Sequence, residues 1–211
     1  LKIQTYTADT MTLPLSTGEF FVSDPANLWT GRTLYDLYQE AHMPWEWHAP
    51  IFARAKALGM LAFSTPFDET AVDFLESLDV PAYKIASFEN TDLPLIRRVA
   101  ATGKPLIVST GMATLSELDE LVKTARAAGC RHLVLLKCTS NYPATPADTN
   151  ITTIPHMRAL FGCDGGAGVG GGVCAAAGAT ALRAQAVDQV AAHLAQLGLE
   201  GVGNGCAHGA S

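Results

Sequence analysis

Three apolar runs of the sequence each end in polar residues that can bind an anion or move a proton. The runs span 82–87, 105–110 and 133–140, and each is typical of a buried strand followed by a polar cluster. Lys84 lies inside the first run, where a buried ammonium group requires an anion to compensate its charge. Ser87 and Ser109 place short hydroxyl donors at strand ends. We therefore expect function at the carboxyl ends of the strands, where parallel α/β barrels have their active sites.

Strands and helices alternate over the first 161 residues. Strands are predicted at 1–6, 60–64, 82–87, 105–109 and 133–138, and helices at 44–58, 68–78, 92–101 and 114–129. Thr114 and Glu117 predict a capping box at the start of the last of these helices. Short connections and nearly continuous apolar strands are typical of a parallel sheet covered by helices, either a barrel or a doubly wound sheet.

The overall composition excludes several classes of protein. The chain has 211 residues, of which 48% are hydrophobic and 16% charged, as expected of an enzyme with one core. A net charge of −6 without a basic run argues against nucleic-acid partners. No apolar stretch approaches the roughly 18 residues that span a bilayer, so no membrane partner is expected. The cysteines lack metal-type spacing, which predicts reduced thiols in the cytoplasm; they are Cys130, Cys138, Cys163, Cys174 and Cys206.

The composition changes abruptly after Phe161. Residues 162–211 contain 13 of the 19 glycines of the chain and one basic residue, Arg183. We expect a Gly/Ala-rich tail with one helix at 179–197, following a barrel domain at 1–161. The glycine run at 165–172 is predicted not to form an ordered strand. Its GxGxxG pattern follows no predicted strand, so we infer no dinucleotide site from it.

Several linked motifs resemble the sialic acid synthase family, of the N-acetylneuraminate synthase type. They are FSTPFD at 63–68, PAYKIASFE at 81–89, STGMA at 109–113 and CTSNYP at 138–143. The segments LYDLY at 34–38, PWEWH at 44–48 and ATP at 144–146 are most similar to the pseudaminic acid synthase branch. The resemblance covers roughly residues 1–161. It implies an α/β fold, a partial (β/α)8 TIM barrel with parallel strands and outer helices.

The resemblance also implies an activity and its residues. Such enzymes are transferases that join phosphoenolpyruvate to an N-acylated amino hexose, here of the diacetamido-altrose type, and release phosphate for the synthesis of bacterial surface glycans. The implied partners are these two small molecules and a second copy of the chain in a homodimer. Glu89 corresponds to a catalytic acid. The expected phosphoenolpyruvate ligands are Lys2, Thr65, Lys84, Ser87, Ser109 and Ser140, and the expected sugar ligands are Gln4, Asn141 and Tyr142.

The sequence departs from the family pattern in its metal site and at both ends. The family binds a divalent metal, Mn or Mg, through the histidines of Ser-Asp-His-Thr and Glu-Lys-His-Phe motifs, and neither motif follows Phe161. We therefore name no metal ligand, and expect surface or packing roles for His42, His48, His132 and His156. A first strand carrying a Glu and an antifreeze-like C-terminal domain are also not found. These departures suggest a truncated start and an out-of-frame reading after Phe161.

Three other functions stay open at this point. The first alternative is an inactive fragment of such a synthase. The second is an N-acetylneuraminate synthase that uses N-acetylmannosamine. The third is a class I aldolase that forms a Schiff base through Lys84 or Lys137.

Overall fold

The computed structural model describes residues 1–139 and 149–168, which are built around a parallel sheet of six strands. The strands are β1 (Lys2–Thr5), β2 (Phe63–Pro66), β3 (Tyr83–Ile85), β4 (Leu106–Ser109), β5 (Leu133–Cys138) and β6 (Asp164–Gly168). Each strand pairs in parallel with the next, so their order in the sheet is their order in the chain.

This strand order distinguishes a barrel wall from a doubly wound sheet. Crossovers between parallel strands are almost always right-handed, so a sheet whose order never reverses carries its connecting helices on one face. A doubly wound sheet reverses its order and has helices on both faces. The observed order is that of a TIM-barrel wall, and the predicted fold class is confirmed.

Seven helices lie in the described residues, and side-chain caps fix where several of them begin. The helices are α1 (Ala8–Met11), α2 (Leu34–Ala41), α3 (His48–Ala57), α4 (Glu69–Ser77), α5 (Leu93–Ala100), α6 (Leu115–Ala127) and α7 (Thr153–Phe161). The carboxylates of Asp68 and Asp92 accept backbone N–H groups in the first turns of α4 and α5. The capping box of α6 is confirmed, because Glu117 N–H donates to Thr114 Oγ1 at 3.3 Å and Thr114 N–H donates to Glu117 Oε2 at 2.7 Å.

Alternate residues of the strands separate the core into two layers. One set, with buried residues of α4 to α7, forms the large layer between sheet and helices; it includes Tyr83, Ile85, Leu106, Val108, Leu133 and Leu135. The other set forms a smaller cluster of Ile107, Val134, Leu136 and Cys138, with Phe63 against it. Because successive side chains of a strand point to opposite faces, this second cluster marks the inner face of the barrel wall.

Two predicted strands differ from the structure. The second strand begins at Phe63 rather than at 60, because Gly59, with φ at +70°, turns the chain after α3 and three further residues bring Phe63 opposite Lys2. The first four residues of the glycine run at 165–172, which was predicted to stay irregular, belong to β6, and β6 pairs with β5 over its whole length; the rest of the run lies outside the described residues. The hydrogen bonds between parallel strands join backbone N–H and C=O groups, so glycine residues can take part in them.

The helix predicted at 44–58 is also different at its start. Trp45–Trp47 form a 3-10 turn, and α3 follows from His48. Trp45 stacks on Phe74 with ring centroids 4.8 Å apart, whereas Trp47 is exposed. Within the described ranges, no helix is both long and apolar enough to cross a membrane. The helix predicted at 179–197 lies outside the described residues.

Candidate active site

The inner face of the sheet carries five of the predicted ligands. Lys2 and Gln4 lie on β1, Thr65 on β2, Lys84 on β3 and Ser109 on β4. The strand register places Gln4 beside Thr65 and Lys84 beside the inner-face residue Ile107. Ser109 is two residues further along β4 and therefore lies on the same face, one step nearer the carboxyl end of the sheet.

Lys84 and Ser109 form a direct contact at the centre of this face. Lys84 Nζ donates to Ser109 Oγ at 2.7 Å. The pKa of Lys84 is lowered to about 8, chiefly by burial and then by the positive charge of Lys2, whereas Cys138 and Glu89 act in the opposite direction. No carboxylate lies within salt-bridge distance of Lys84 in the described part of the chain. A largely buried cation whose described partner is a neutral hydroxyl group favours the binding of an anion.

Lys2 adds a second positive charge to the inner face, at the first residue of β1. Its side chain is exposed, yet the atoms around it desolvate the ammonium group enough to lower its pKa. Repulsion between Lys2 and Lys84 lowers the pKa of Lys84, which places the two ammonium groups within electrostatic reach. A bound dianion would relieve this repulsion.

Two buried oxygen atoms of the predicted site residues have no hydrogen-bond partner within residues 1–139 and 149–168. Thr65 is 1% exposed, and its Oγ1 makes no hydrogen bond within the described ranges. Glu89 lies in a 3-10 turn (Glu89–Thr91) after β3, and its Oε2 is buried without a hydrogen bond. Burial raises the pKa of Glu89, against the effects of its own backbone N–H and of Lys84. Buried polar atoms are normally paired, so both atoms indicate a missing ligand.

The loops after β3 and β4 meet above these residues. Ser87, a predicted ligand, is half-buried against Gly111, where an added Cβ would lie 2.6 Å from Ser87 Cβ. Asn90 is buried and donates to the carbonyl oxygens of Ser109 and Thr110. Sequence reasoning missed Asn90 and Gly111, although Asn90 directly follows Glu89 and Gly111 lies inside a motif used for the resemblance.

The predicted ligands of the sugar and the alternative lysine lie apart from the Lys84–Ser109 pair or outside the described residues. Ser140, Asn141 and Tyr142 lie outside the described residues. Gln4 is exposed on the inner face. Lys137, the alternative Schiff-base residue, has the strand parity of Leu133 and Leu135 and therefore belongs to the helix side of β5.

The described residues do not make up a site for a divalent metal. Residues 1–139 and 149–168 contain no group of three or more His, Cys, Asp or Glu side chains that could hold an ion. Glu89 is the predicted acid at the carboxyl end of the sheet, whereas His48 lies on the helix side. His48 Nε2 is 2.8 Å from Thr5 Oγ1, and its ring packs against Phe52 and Phe74. This donor set does not fit the Mn or Mg site implied by the resemblance.

A basic cleft lies at the opposite, amino-terminal end of β5. It is lined by Arg126, Arg131 and Arg158 between α6 and α7. Arg126 donates to the carbonyl oxygens of Phe161 and Gly162 and so caps α7. In barrels of this type the amino-terminal end of the strands serves stability rather than chemistry. We therefore place the candidate active site at the carboxyl end.

Comparison with known proteins assigns this chain to a family. A protein-family model described as the NeuB family matches residues 1–192. The chain belongs to the NeuB family. The resemblance to sialic acid synthases is thereby confirmed, and the family match extends past Phe161, where the resemblance found in the sequence ends.

Two pseudaminic acid synthases are similar to this NeuB-family chain. The enzyme of Helicobacter pylori is 43% identical over 162 residues, which are 77% of this chain and 47% of that protein. The enzyme of Campylobacter jejuni serotype O:2 is 43% identical over 166 residues, 79% of this chain and 48% of that protein. The N,N'-diacetyllegionaminic acid synthase of Legionella pneumophila is 37% identical. These identities confirm the likeness to the pseudaminic acid synthases, and the chain spans about half the length of these relatives.

Solved structures show the same fold. The spore coat polysaccharide biosynthesis protein SpsE of Bacillus subtilis matches with a TM-score of 0.61 and 32% identity, over 78% of this chain and 42% of that chain. The sialic acid synthetase of Leptospira borgpetersenii matches with a TM-score of 0.66 over 79% of this chain and 52% of that chain. The second match, at 23% identity, supports the fold alone.

Proposed function

We propose that this chain forms the phosphoenolpyruvate-binding part of a nonulosonic acid synthase, which joins phosphoenolpyruvate to a diacetamido-hexose of the altrose type. The observation that carries the proposal is the Lys84–Ser109 pair on the inner face, with Lys2 nearby and no carboxylate to neutralise Lys84 among the described residues. The likeness to pseudaminic acid synthases supports the choice of sugar.

Phosphoenolpyruvate carries a phosphate and a carboxylate, and the site offers complementary groups for both. Lys84 and Lys2 supply positive charge, and the hydroxyl groups of Ser87 and Ser109 supply donors. Thr65 Oγ1 would gain the hydrogen bond that it lacks in the ligand-free protein. Ser140 completes the proposed set of phosphoenolpyruvate ligands, and Gln4, Asn141 and Tyr142 are the proposed sugar ligands.

The proposed reaction forms one C–C bond and breaks one C–O bond. C3 of phosphoenolpyruvate attacks the aldehyde carbon of the open-chain sugar, whose oxygen takes up a proton. Water adds to C2 and loses a proton. The bond between C2 and the oxygen that bridges to phosphorus then breaks, and the departing phosphate takes up the proton of the new C2 hydroxyl group as the carbonyl forms. Glu89, with its raised pKa, donates the first proton and as a carboxylate accepts the second. The protons balance, and the products are the keto acid and inorganic phosphate.

The same proposal includes the location, the oligomeric state and the domains of the enzyme. We propose a cytoplasmic enzyme that acts as a homodimer, with a barrel domain at 1–161 followed by a distinct tail at 162–211. Cys130 and Cys138 form no disulfide within the described residues, which agrees with a reducing compartment.

One observation favours an aldolase as the second candidate. Schiff-base lysines need a neutral amine, and burial lowers the pKa of Lys84 to about 8. Reduction with borohydride in the presence of pyruvate tests this alternative. We expect no adduct on the chain, whereas a reduced adduct at Lys84 would favour the aldolase.

Phosphate release tests the proposed function. The chain is mixed with phosphoenolpyruvate, Mn²⁺ and either the diacetamido-altrose or N-acetylmannosamine, and the matched variants Lys84→Met and Lys123→Met are run alongside. Release that needs the altrose derivative and is lost in Lys84→Met alone supports the proposal. Release with N-acetylmannosamine indicates the N-acetylneuraminate branch. Binding without turnover indicates an inactive fragment, and the absence of phosphoenolpyruvate binding refutes the proposal.

A further inference from the structure

Asn90 connects the two loops that carry the candidate active site. It is 3% exposed, and its Nδ2 lies 3.1 Å from the carbonyl oxygen of Ser109 and 2.9 Å from that of Thr110. Both partners are acceptors, so the amide must present its NH2 group to them. A side-chain amide has two N–H donors on one nitrogen, and here each donor serves one of two consecutive carbonyl groups.

Each end of this connection belongs to the proposed machinery. On one side, Asn90 follows Glu89 in the same 3-10 turn, so a fixed Asn90 fixes the backbone that carries the acid. On the other side, Ser109 accepts the hydrogen bond of Lys84. The far side of the β4 loop is held as well, since Thr110 N–H and Oγ1 both donate to the carbonyl oxygen of Leu136.

Gly111 shows independently that the two loops touch. A Cβ at this position would lie 2.6 Å from Ser87 Cβ and 3.2 Å from the Ser87 carbonyl oxygen, and its φ is +50°. The loop after β4 therefore comes as close to the loop after β3 as backbone atoms allow. Asn90 and Gly111 together determine the separation of Ser87 and Glu89 from Ser109.

We propose that Asn90 is a positioning residue, which holds Glu89 and the Lys84–Ser109 pair in register by bonding the loop after β3 to the loop after β4. The role in catalysis rests on the proposed function, whereas the bond between the loops does not. Asp at this position cannot donate when ionised, and Leu fills similar space without any donor. Both substitutions should therefore release the β4 loop.

A matched pair of substitutions isolates the donor role. Asn27 uses its Oδ1 as an acceptor from the Trp29 N–H, so Asn27→Asp keeps its hydrogen bond. Asn90→Asp loses two. We expect hydrogen exchange to increase about tenfold or more in the segments 86–91 and 109–113 of the ligand-free N90D and N90L variants, with the helices unchanged, and no such change in N27D. Phosphoenolpyruvate binding should weaken about tenfold or more in the same two variants and stay unchanged in N27D.

The results separate the two claims. Unchanged local exchange in both N90D and N90L overturns the positioning role. A uniform increase in exchange over the whole chain, with unaltered affinity for phosphoenolpyruvate, shows a merely structural residue and also overturns it. If the wild-type chain does not bind phosphoenolpyruvate, the proposed function fails, and local exchange in the two loops still decides whether Asn90 holds them together.

Discussion

Replacing Lys84 with Met should weaken phosphoenolpyruvate binding and, at the same time, make the protein more stable. The folded protein keeps a largely buried ammonium group whose pKa is about 8 instead of 10.5. This difference corresponds to about 3 kcal/mol of folding free energy lost near neutral pH. Met fills most of the same volume without a charge, and Ser109 can turn its hydroxyl group elsewhere. We therefore expect K84M to unfold with a free energy about 1–3 kcal/mol higher than the wild type at pH 7.

The sign of the pH dependence provides an internal check. Because the pKa of Lys84 is lowered in the folded state, the unfolded chain binds more protons between pH 8 and 10.5, and wild-type stability from this group rises with pH over that interval. The advantage of K84M should therefore shrink between pH 8 and 10.5. Urea unfolding at pH 7 and at pH 9.5 measures it, with Lys123→Met as a control because Lys123 is an exposed residue of a helical ion pair.

Whereas the stability of K84M should rise, its affinity for phosphoenolpyruvate should fall. A hydrogen bond to a charged group contributes about 1.5–3 kcal/mol, which is about a 10- to 150-fold change in the dissociation constant. Isothermal titration calorimetry with phosphoenolpyruvate at pH 7 measures this loss. A K84M variant that is less stable than the wild type and still binds phosphoenolpyruvate with the same affinity would refute the reasoning.

Three further predictions concern Thr65, Gly111 and His48. Thr65→Val should leave the unfolding free energy unchanged or raise it by up to about 1 kcal/mol, because Thr65 Oγ1 has no partner among the described residues, and should weaken phosphoenolpyruvate binding about fivefold; a clear loss of stability contradicts this. Gly111→Ala should cost about 1–3 kcal/mol more in urea unfolding than Gly103→Ala, because both have positive φ but only Gly111 would clash, with Ser87; equal losses contradict the close approach. Burial lowers the pKa of His48, so stability should fall as the pH drops below 6.5; His48→Phe should lack this pH dependence, and its persistence in the variant shows that another group causes it.

The inner-face positions of Lys84 and Ser109 were predictable from the sequence because they depend on local pattern. Lys84 interrupts an apolar strand, and Ser109 ends the next one. Strand parity and strand order then suffice to bring the two residues to one face. The capping box of α6 was predictable for the same reason, since Thr114 and Glu117 are three residues apart and bond to each other's backbone N–H groups within one helical turn.

The features that were missed depend on contacts between distant segments. Asn90 donates to carbonyl groups 19 and 20 residues away. Every residue has a backbone carbonyl group, so the sequence does not indicate which of them accepts this hydrogen bond. The strand β6 forms in a glycine-rich segment because its backbone groups pair with those of β5. The local strand propensity of the segment does not indicate this pairing. The start of β2 follows from pairing with β1, 60 residues earlier, where Leu1 accepts the N–H of Phe63.

The central claim is that phosphoenolpyruvate binds at the carboxyl end of the inner face. Acylation of lysines by acetic anhydride, followed by mass spectrometry, locates the ligand when it is done with and without phosphoenolpyruvate. The account predicts strong protection of Lys84, and weaker protection of Lys2, with Lys56, Lys104 and Lys123 unaffected. Unchanged labelling of Lys84 at saturating phosphoenolpyruvate, or protection confined to the outer lysines, would contradict it.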